Sequence, residues 1–248
     1  MSDLPSFGGN PPTDAIDAIG NFAGNAQVFS FTGETRRETD SLGEVDVPVE
    51  AYWGVHTLRA LESYPIARRP ISTFPELIVA LAQVKQAAAR ANAEIGVLDV
   101  EKAAVIDAVC QEIIEGEWHD QFVVGIIQGG AGTSTNMNAN EVIANIGLEK
   151  MGYAKGDYAH LHPIDDVNRS QSTNDVYPTA VKIAISHALA GMISELALLR
   201  DAFAAKGVEF KHILKVGRTQ LQDAVPMTLG QEFNGFATTL GEDVDRLH

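Results

Sequence analysis

The feature that most constrains the fold is an apolar stripe that runs without a break from Pro178 to Lys206. Its residues recur at steps of three and four, which is the spacing of one face of an α-helix. They are Val181, Ile185, Ala188, Met192, Leu196, Leu199 and Phe203. A helix over this span would be roughly 40 Å long. Because alanine and leucine also occupy much of its remaining surface, we expect burial on several sides, as in the centre of a helical bundle.

Other segments are predicted to be helical from the same spacing. A stripe after Thr73 continues to Gly96, and it begins with a capping-box pattern at Thr73. Its members are Leu77, Leu81, Val84, Ala88, Ala91 and Ile95. Helices are also expected over residues 100–115 and 139–151, and a short edge strand over residues 45–49. The predicted fold class is therefore mainly α.

The last predicted helix is unfinished where the sequence stops. After Pro226, apolar residues again recur at steps of four and three almost to His248. They are Leu229, Phe233, Phe236, Leu240, Val244 and Leu247. Because no glycine, asparagine or proline ends this helix, we expect a truncated chain whose apolar side chains need partners. Residues 1–32, rich in glycine, proline and polar residues, are predicted to be a disordered extension.

Charge and cysteine content limit the partners and the compartment. The chain has 33 acidic and 18 basic residues, a formal net charge of −15, which argues against nucleic acid or an anionic membrane as a partner. Cys110 has no second cysteine to pair with, and its helical surroundings predict a core residue. No apolar run approaches the ~20 residues that span a bilayer, and no secretory signal is present, so a cytoplasmic location is expected.

Three segments dense in hydroxyl and amide side chains interrupt the helical pattern, and each precedes a helix. They are Gly129–Asn138, Asn168–Asp175 and Gly217–Asp223. Such side chains donate hydrogen bonds without carrying charge, and backbone N–H groups at helix starts add donors that favour anions. Each segment alone is explained by helix capping and turn formation. Together they predict a site for a small molecule with more than one carboxylate, although spacing alone does not show that they meet.

Sites of other kinds find less support. The sequence contains no Walker A loop, and the glycines after Gly129 lack the spacing of a dinucleotide fingerprint. His160 and His162 stand beside two aspartates, but without cysteine partners or helix-face spacing they are interpreted as a solvated turn. His56 and the remaining histidines are interpreted as structural or surface residues. No metal and no cofactor is predicted.

The three polar segments resemble, in order and separation, the substrate-binding regions of the aspartase/fumarase superfamily. The resemblance extends from about Arg36 to the chain end and includes Tyr52–Ala60, which reads YWGVHTLRA. Gly217–Phe233, which reads GRTQLQDAVPMTLGQEF, is similar to bacterial aspartases nearly residue for residue.

Several positions resemble aspartases more than fumarases. Gln220 stands where fumarases carry an important histidine, although some aspartases keep that histidine too. Gly54–Arg59 reads GVHTLR, the aspartase form, where fumarases tend to GAQTQR. Ser172–Asp175 reads STND, where fumarases have SSND. The reading of His162–Asp165 as HPID departs from the fumarase HPND, so no secondary anion site is assigned there.

The resemblance also implies an architecture. It places a small N-terminal lyase domain at residues 33–175 and the start of an incomplete central helical-bundle domain at residues 176–248. Enzymes of this superfamily form homotetramers whose bundles merge, and each active site draws loops from three subunits. In such an assembly, the apolar stripes of the long helices would be buried.

The activity implied is an ammonia-lyase: reversible elimination of ammonia from L-aspartate, giving fumarate through an enediolate-like carbanion. The resemblance implies six substrate-binding residues, which are Thr133, Ser172, Thr173, Asn174, Thr219 and Gln220. Thr133, Ser172 and Thr219 would hold the β-carboxylate. Thr173 and Asn174 would contact the α-carboxylate or the amine, with Gln220 near the amino group.

The catalytic base implied by the resemblance is a serine on a mobile loop of the form GSSxMPxKxN, which also supplies a lysine and an asparagine. No such motif occurs in this chain, so no catalytic residue is assigned and the chain alone is expected to be inactive. Two alternatives remain. One is fumarate hydratase or another lyase of the superfamily, and the other is a non-catalytic truncated subunit that binds full-length partners.

Overall fold

The computed structural model describes residues 32–67 and 69–248, so the extension predicted for residues 1–32 lies outside the described part except for Thr32. The chain divides into two compact units, one ending at Ala184 and the other covering Ile185–His248. Each unit is described by itself.

The described residues form six α-helices and two antiparallel hairpins. The helices are α1 Val55–Ser63, α2 Pro75–Glu94, α3 Val100–Ile114, α4 Thr133–Lys150, α5 Thr173–Glu209 and α6 Leu229–Leu247. The strands are β1 Thr35–Asp40, β2 Gly43–Pro48, β3 Leu214–Thr219 and β4 Gln222–Thr228, with β1 pairing β2 and β3 pairing β4. The mainly helical fold class is confirmed. The strand expected over residues 45–49 is β2, whereas its partner β1 was not predicted.

Helix α4 lies at the centre of the first unit. Every residue from Asn138 to Leu148 is buried, and α2, α3 and the segment before α1 pack around it through one apolar core. The predicted start at residue 139 was too late, because the polar residues after Thr133 belong to the first turns of the helix. Cys110 is buried in the same core, which confirms its prediction as a core residue.

The buried face of α2 differs from the predicted stripe. Ile78, Leu81, Lys85, Ala89 and Asn92 are buried, a face displaced by about one residue from the predicted one, and it includes a lysine and an asparagine. By contrast, Ile95 at the end of the predicted stripe is 70% exposed. The predicted capping box at Thr73 is also absent, since Phe74 precedes the helix and no side chain caps it.

In the second unit, α6 packs against the end of α5. Phe203, Phe210, Phe233 and Phe236 form an aromatic cluster with ring centroids 5.3–6.1 Å apart. Thr228 and Gln231 form a reciprocal capping box at the start of α6, which fixes the direction in which the chain leaves β4. The unfinished stripe predicted after Pro226 therefore does form a helix, beginning at residue 229.

Apolar side chains of α5 remain exposed in the single chain. Ile185, Met192 and Leu198 are each at least half exposed. The expectation that no stretch suits a membrane needs correcting, since α5 is, in the described part of the chain, the one helix long and apolar enough to cross one. This is weak support for a membrane span, because a helix that is covered by other helices in a bundle has the same composition.

Candidate functional site

The first predicted polar segment forms a glycine-rich loop that leads into α4. Gly130 and Gly132 have positive φ angles of 75° and 85°, and Thr133 follows as the first residue of the helix, exposed to solvent. A methyl group at Gly132 would overlap the ring of Tyr177 on α5. Glycine is therefore required here both by backbone conformation and by close packing.

The second predicted segment forms the start of α5. Ser172 accepts a 3.3 Å hydrogen bond from the backbone N–H of Asn174, so part of its role is helix capping. Ser172 and Asn174 are exposed, and Thr173 is half-buried. Pro178 lies inside the helix and has no N–H, so the carbonyl of Asn174 lacks the usual donor four residues later.

These two segments meet through a group of side chains that we call the amide cluster: Lys85, Asn136, Asn140 and Asn168. Asn136 Nδ2 donates to Asn168 Oδ1 at 3.0 Å and to Thr173 Oγ1 at 3.1 Å. Asn140 Nδ2 and Lys85 Nζ donate to the same Asn168 oxygen at 3.3 and 2.8 Å. The structure thus joins the segments that carry Thr133 and Thr173, which spacing alone did not establish.

Lys85 is the member of this cluster that the sequence analysis missed. Its side chain is fully buried on α2, and burial lowers its pKa from 10.5 to about 7, with the Cys110 thiol opposing that shift. The signal that could have identified it is its spacing. Lys85 lies four residues after Leu81 and four before Ala89, in the middle of the buried face.

The third predicted segment is the β3–β4 hairpin of the second unit. Gln220 and Leu221 form its two-residue turn, with φ angles of 49° and 63°. Positive φ at two successive positions is typical of a type I′ turn, which glycine and asparagine normally occupy. The predicted site residues Thr219 and Gln220 are exposed there. The helical pattern gave no indication of this hairpin.

A second buried polar group anchors the loop before α1 to α4. The carboxyl group of Glu141 is completely buried and accepts five hydrogen bonds. Backbone N–H groups of Gly54, His56 and Thr57 donate at 2.8–3.1 Å, and the Thr57 hydroxyl and His56 Nδ1 complete the set at 2.7 and 3.0 Å. The GVHT sequence is therefore held as a cap of α1 by a side chain 80 or more positions away.

Glu38 on β1 supports the same helix start. Its carboxyl group accepts from the N–H of Val55 at 2.9 Å, from the Tyr158 hydroxyl at 3.1 Å and from Arg36 at 2.8 Å. Burial raises the pKa of Glu38, and the guanidinium of Arg36 opposes that rise. A side chain at Gly54 would collide with Glu38 and Tyr158, so only glycine fits between these groups.

His56 supplies a test of this arrangement. Its hydrogen bond to Glu141 raises the pKa of the imidazole above the usual 6.5, although burial opposes the shift. A raised pKa in the folded state contributes stability that is fully present below pH 6.5 and is lost as the pH rises through the folded value. We expect an NMR titration of His56 to have its midpoint above 6.5, and Glu141→Gln to lower it. A midpoint at or below 6.5 would contradict the hydrogen bond.

His160 and His162 lie in a turn, as interpreted from the sequence. His162 Nδ1 accepts from the backbone N–H groups of Ile164 and Asp165, both at 3.1 Å, and the His160 ring stacks on Tyr153. His162 therefore caps the turn over residues 163–167.

Comparison with known proteins decides the family. The sequence profile of the lyase family matches residues 43–248, which is most of the chain. The chain belongs to the lyase family. The resemblance inferred from its motifs is thereby confirmed.

Relatives of this lyase include aspartate ammonia-lyases from several bacteria. The chain is 58% identical to that of Pseudomonas fluorescens over 220 residues, and 52% identical to that of Escherichia coli K12 over 218 residues. These matches cover 89% and 88% of this chain but 46% of each relative. The chain therefore spans about half the length of the curated relatives it matches.

Solved structures of similar proteins support the same family assignment. A fumarate lyase:delta crystallin from Brucella melitensis is 56% identical, with a TM-score of 0.79, covering 86% of this chain and 49% of that one. A class II fumarase from Schistosoma mansoni is 35% identical, with a TM-score of 0.74, covering 85% and 44%. The fold of this lyase is thus shared with enzymes that are about twice as long.

Proposed function

We propose that this lyase acts as an aspartate ammonia-lyase, which removes ammonia from L-aspartate to give fumarate. The observation that carries the proposal is the junction of two donor-rich segments, at Thr133 and at Ser172–Asn174, over the amide cluster. The identity of 52–59% to proteins named aspartate ammonia-lyase supports the choice of substrate.

The chemistry explains why uncharged donors suit this site. Removal of a proton from Cβ of aspartate places a second negative charge on the adjacent carboxylate, as an enediolate-like intermediate. Donors that already point at this carboxylate stabilise the intermediate without reorganising during the reaction. In the proposal, Thr133, Ser172 and Thr219 supply those donors to the β-carboxylate.

The amino-acid end of the substrate is assigned to the remaining residues. Thr173 and Asn174 would contact the α-carboxylate or the amine, and Gln220 would neighbour the amino group. The carbonyl of Asn174, which Pro178 leaves without a helical donor, is an acceptor of the kind that a substrate ammonium requires.

The remaining parts of the proposed enzyme follow from the family. Its base would be the serine of a GSSxMPxKxN loop, which this chain does not contain. A homotetramer would cover the exposed apolar residues of α5 and bring Thr219 and Gln220 into a shared site. We also propose a cytoplasmic location and the division into residues 33–175 and 176–248.

Reading the coding DNA past His248 and assaying its product tests the proposal. We expect the product to contain the GSSxMPxKxN loop and to release ammonia from L-aspartate in preference to releasing water from L-malate. Preference for malate would indicate a fumarase. A product that ends at His248 and binds full-length lyase subunits without activity would indicate a non-catalytic subunit, and either result would overturn the proposal.

Substitutions at the proposed contacts have a defined expected effect. Removing one hydrogen bond to a charged group costs about 1.5–3 kcal/mol, so Thr219→Ala or Asn174→Ala should lower kcat/KM for aspartate about 10- to 100-fold. The matched control is Ser41→Ala, in the exposed turn between β1 and β2, which should leave the kinetics unchanged. Normal kinetics in both site variants would contradict these assignments.

A further inference from the structure

In the amide cluster, the donor and the acceptor of each hydrogen bond are determined one after another, beginning with the bond between Lys85 and Asn168. Asn168 Nδ2 donates to the backbone carbonyl oxygen of Gln171 at 3.1 Å, so the atom of Asn168 that faces Lys85 is the amide oxygen. The Lys85 amino group carries N–H donors for this oxygen in both of its protonation states. The orientation of an asparagine amide is otherwise free to reverse, because its two ends have nearly the same shape. Lys85, at 2.8 Å from Asn168 Oδ1, and the Gln171 carbonyl together remove that freedom.

The orientation of Asn168 in turn determines the orientation of the Asn136 amide group. Since Asn168 presents its oxygen, Asn136 must present its amide nitrogen, 3.0 Å away. That nitrogen also donates to Thr173 Oγ1 at 3.1 Å. Asn136 is 1% exposed and Lys85 is fully buried, so water does not compete for these groups.

The orientation of Asn136 determines which hydrogen bonds the hydroxyl group of Thr173 can still make. Its oxygen already accepts a hydrogen bond from Asn136, so its own proton is left to point elsewhere. Thr173 is half-buried beside the exposed Ser172 and Asn174, so this proton is available to a bound carboxylate.

We infer that Lys85 and Asn136 are positioning residues that orient the Thr173 hydroxyl as a hydrogen-bond donor to a substrate carboxylate. This inference rests on the proposed function, because it assigns Thr173 to the substrate. Neither Lys85 nor Asn136 touches the substrate. Each acts through the next residue in the order Lys85, Asn168, Asn136, Thr173.

A double-mutant cycle in the full-length gene product tests this dependence. Lys85→Met keeps an unbranched buried side chain as far as the Cε position but removes the donor. Thr173→Val keeps the shape but removes the hydroxyl. We expect Lys85→Met to lower kcat/KM about tenfold, and Thr173→Val to lower it about 10- to 100-fold. The double variant should lose no more than Thr173→Val alone, because residues that act through one contact are not additive.

Additive losses would overturn the inference, since a general structural effect of Lys85 would persist without the hydroxyl. Unchanged kinetics in Lys85→Met would overturn it as well. Lys150→Met, which removes an exposed lysine paired with Glu112, is the matched control and should keep wild-type kinetics.

A second variant covers the case in which Lys85→Met fails to fold. Asn136→Leu removes the direct donor to Thr173 but leaves Lys85 and Asn140 on Asn168, and it should show the same non-additivity with Thr173→Val. All rates are compared on whichever substrate the wild-type enzyme converts. Failure of the wild type on L-aspartate would therefore contradict the proposed function, whereas additive cycles would contradict only the role of Lys85 and Asn136.

Discussion

Glu141→Gln is expected to destabilise the first unit by about 3–5 kcal/mol, the usual cost of breaking a buried, hydrogen-bonded charged group. In all five hydrogen bonds of Glu141, a carboxyl oxygen is the acceptor, and both oxygens take part. An amide of the same shape replaces one acceptor oxygen by an N–H₂ group, which would face N–H donors. Buried backbone donors before α1 would then lose their partner.

Urea unfolding followed by tryptophan fluorescence measures this effect. Both tryptophans of the chain, Trp53 and Trp118, belong to the first unit, and Trp53 is buried next to Gly54. Glu149→Gln, on the same helix, is the control. Glu149 is exposed and accepts one hydrogen bond from Tyr52, so a change below about 1 kcal/mol is expected. A Glu141→Gln variant as stable as this control would show that the buried contacts contribute little.

Lys85→Met is expected to change how stability depends on pH. The pKa of Lys85 is about 7 in the folded chain and about 10.5 when unfolded. Between these values the unfolded state holds a proton that the folded state has lost, so the Lys85 contribution to stability rises with pH. Below pH 7 Lys85 is protonated in both the folded and the unfolded state, so the full free-energy cost of burying its charge lowers the stability of the folded chain. The stability of the wild type relative to Lys85→Met should therefore rise on the order of 3 kcal/mol from pH 7 to pH 10.

The measurement is the difference in unfolding free energy between wild type and Lys85→Met, taken by urea titration at several pH values. Taking the difference cancels the other titrating groups of the chain. Cys110 influences the pKa of Lys85. Cys110→Ala therefore serves as a control, because the pH dependence that Lys85 causes should persist in this variant. A difference that stays constant from pH 7 to pH 10 would show that Lys85 is not held in a desolvated state.

The helices were largely predictable from the sequence because each carries a local signal. The helix from Val100 to Ile114 was predicted within one residue of its observed bounds. The structure shows that Asp99 caps its start, a local signal that the sequence analysis did not use. Helix α5 was located by its apolar stripe, although the observed bounds, Thr173–Glu209, are wider at both ends. The polar residues at the start of α4 and α5 were read as loops because serine, threonine and asparagine favour caps and turns when considered alone.

The candidate site was only partly predictable. Its two segments at Thr133 and Ser172–Asn174 were identified from their composition and from the family resemblance. The side chains that join them were not identified as a group, because Lys85, Asn136 and Asn168 lie on three separate parts of the chain. Hydrogen bonds between residues more than 30 positions apart leave no local pattern in the sequence.

The sequence by itself determined the helical class, the long apolar stripes and the family, because these depend on residue types at short and regular spacing. Only the tertiary structure decided that Lys85 is buried without a carboxylate partner among the described residues and that Glu141 holds the loop before α1. Both are polar residues on buried helix faces. Their partners are fixed by how the helices pack, and packing depends on contacts that sequence periodicity does not encode.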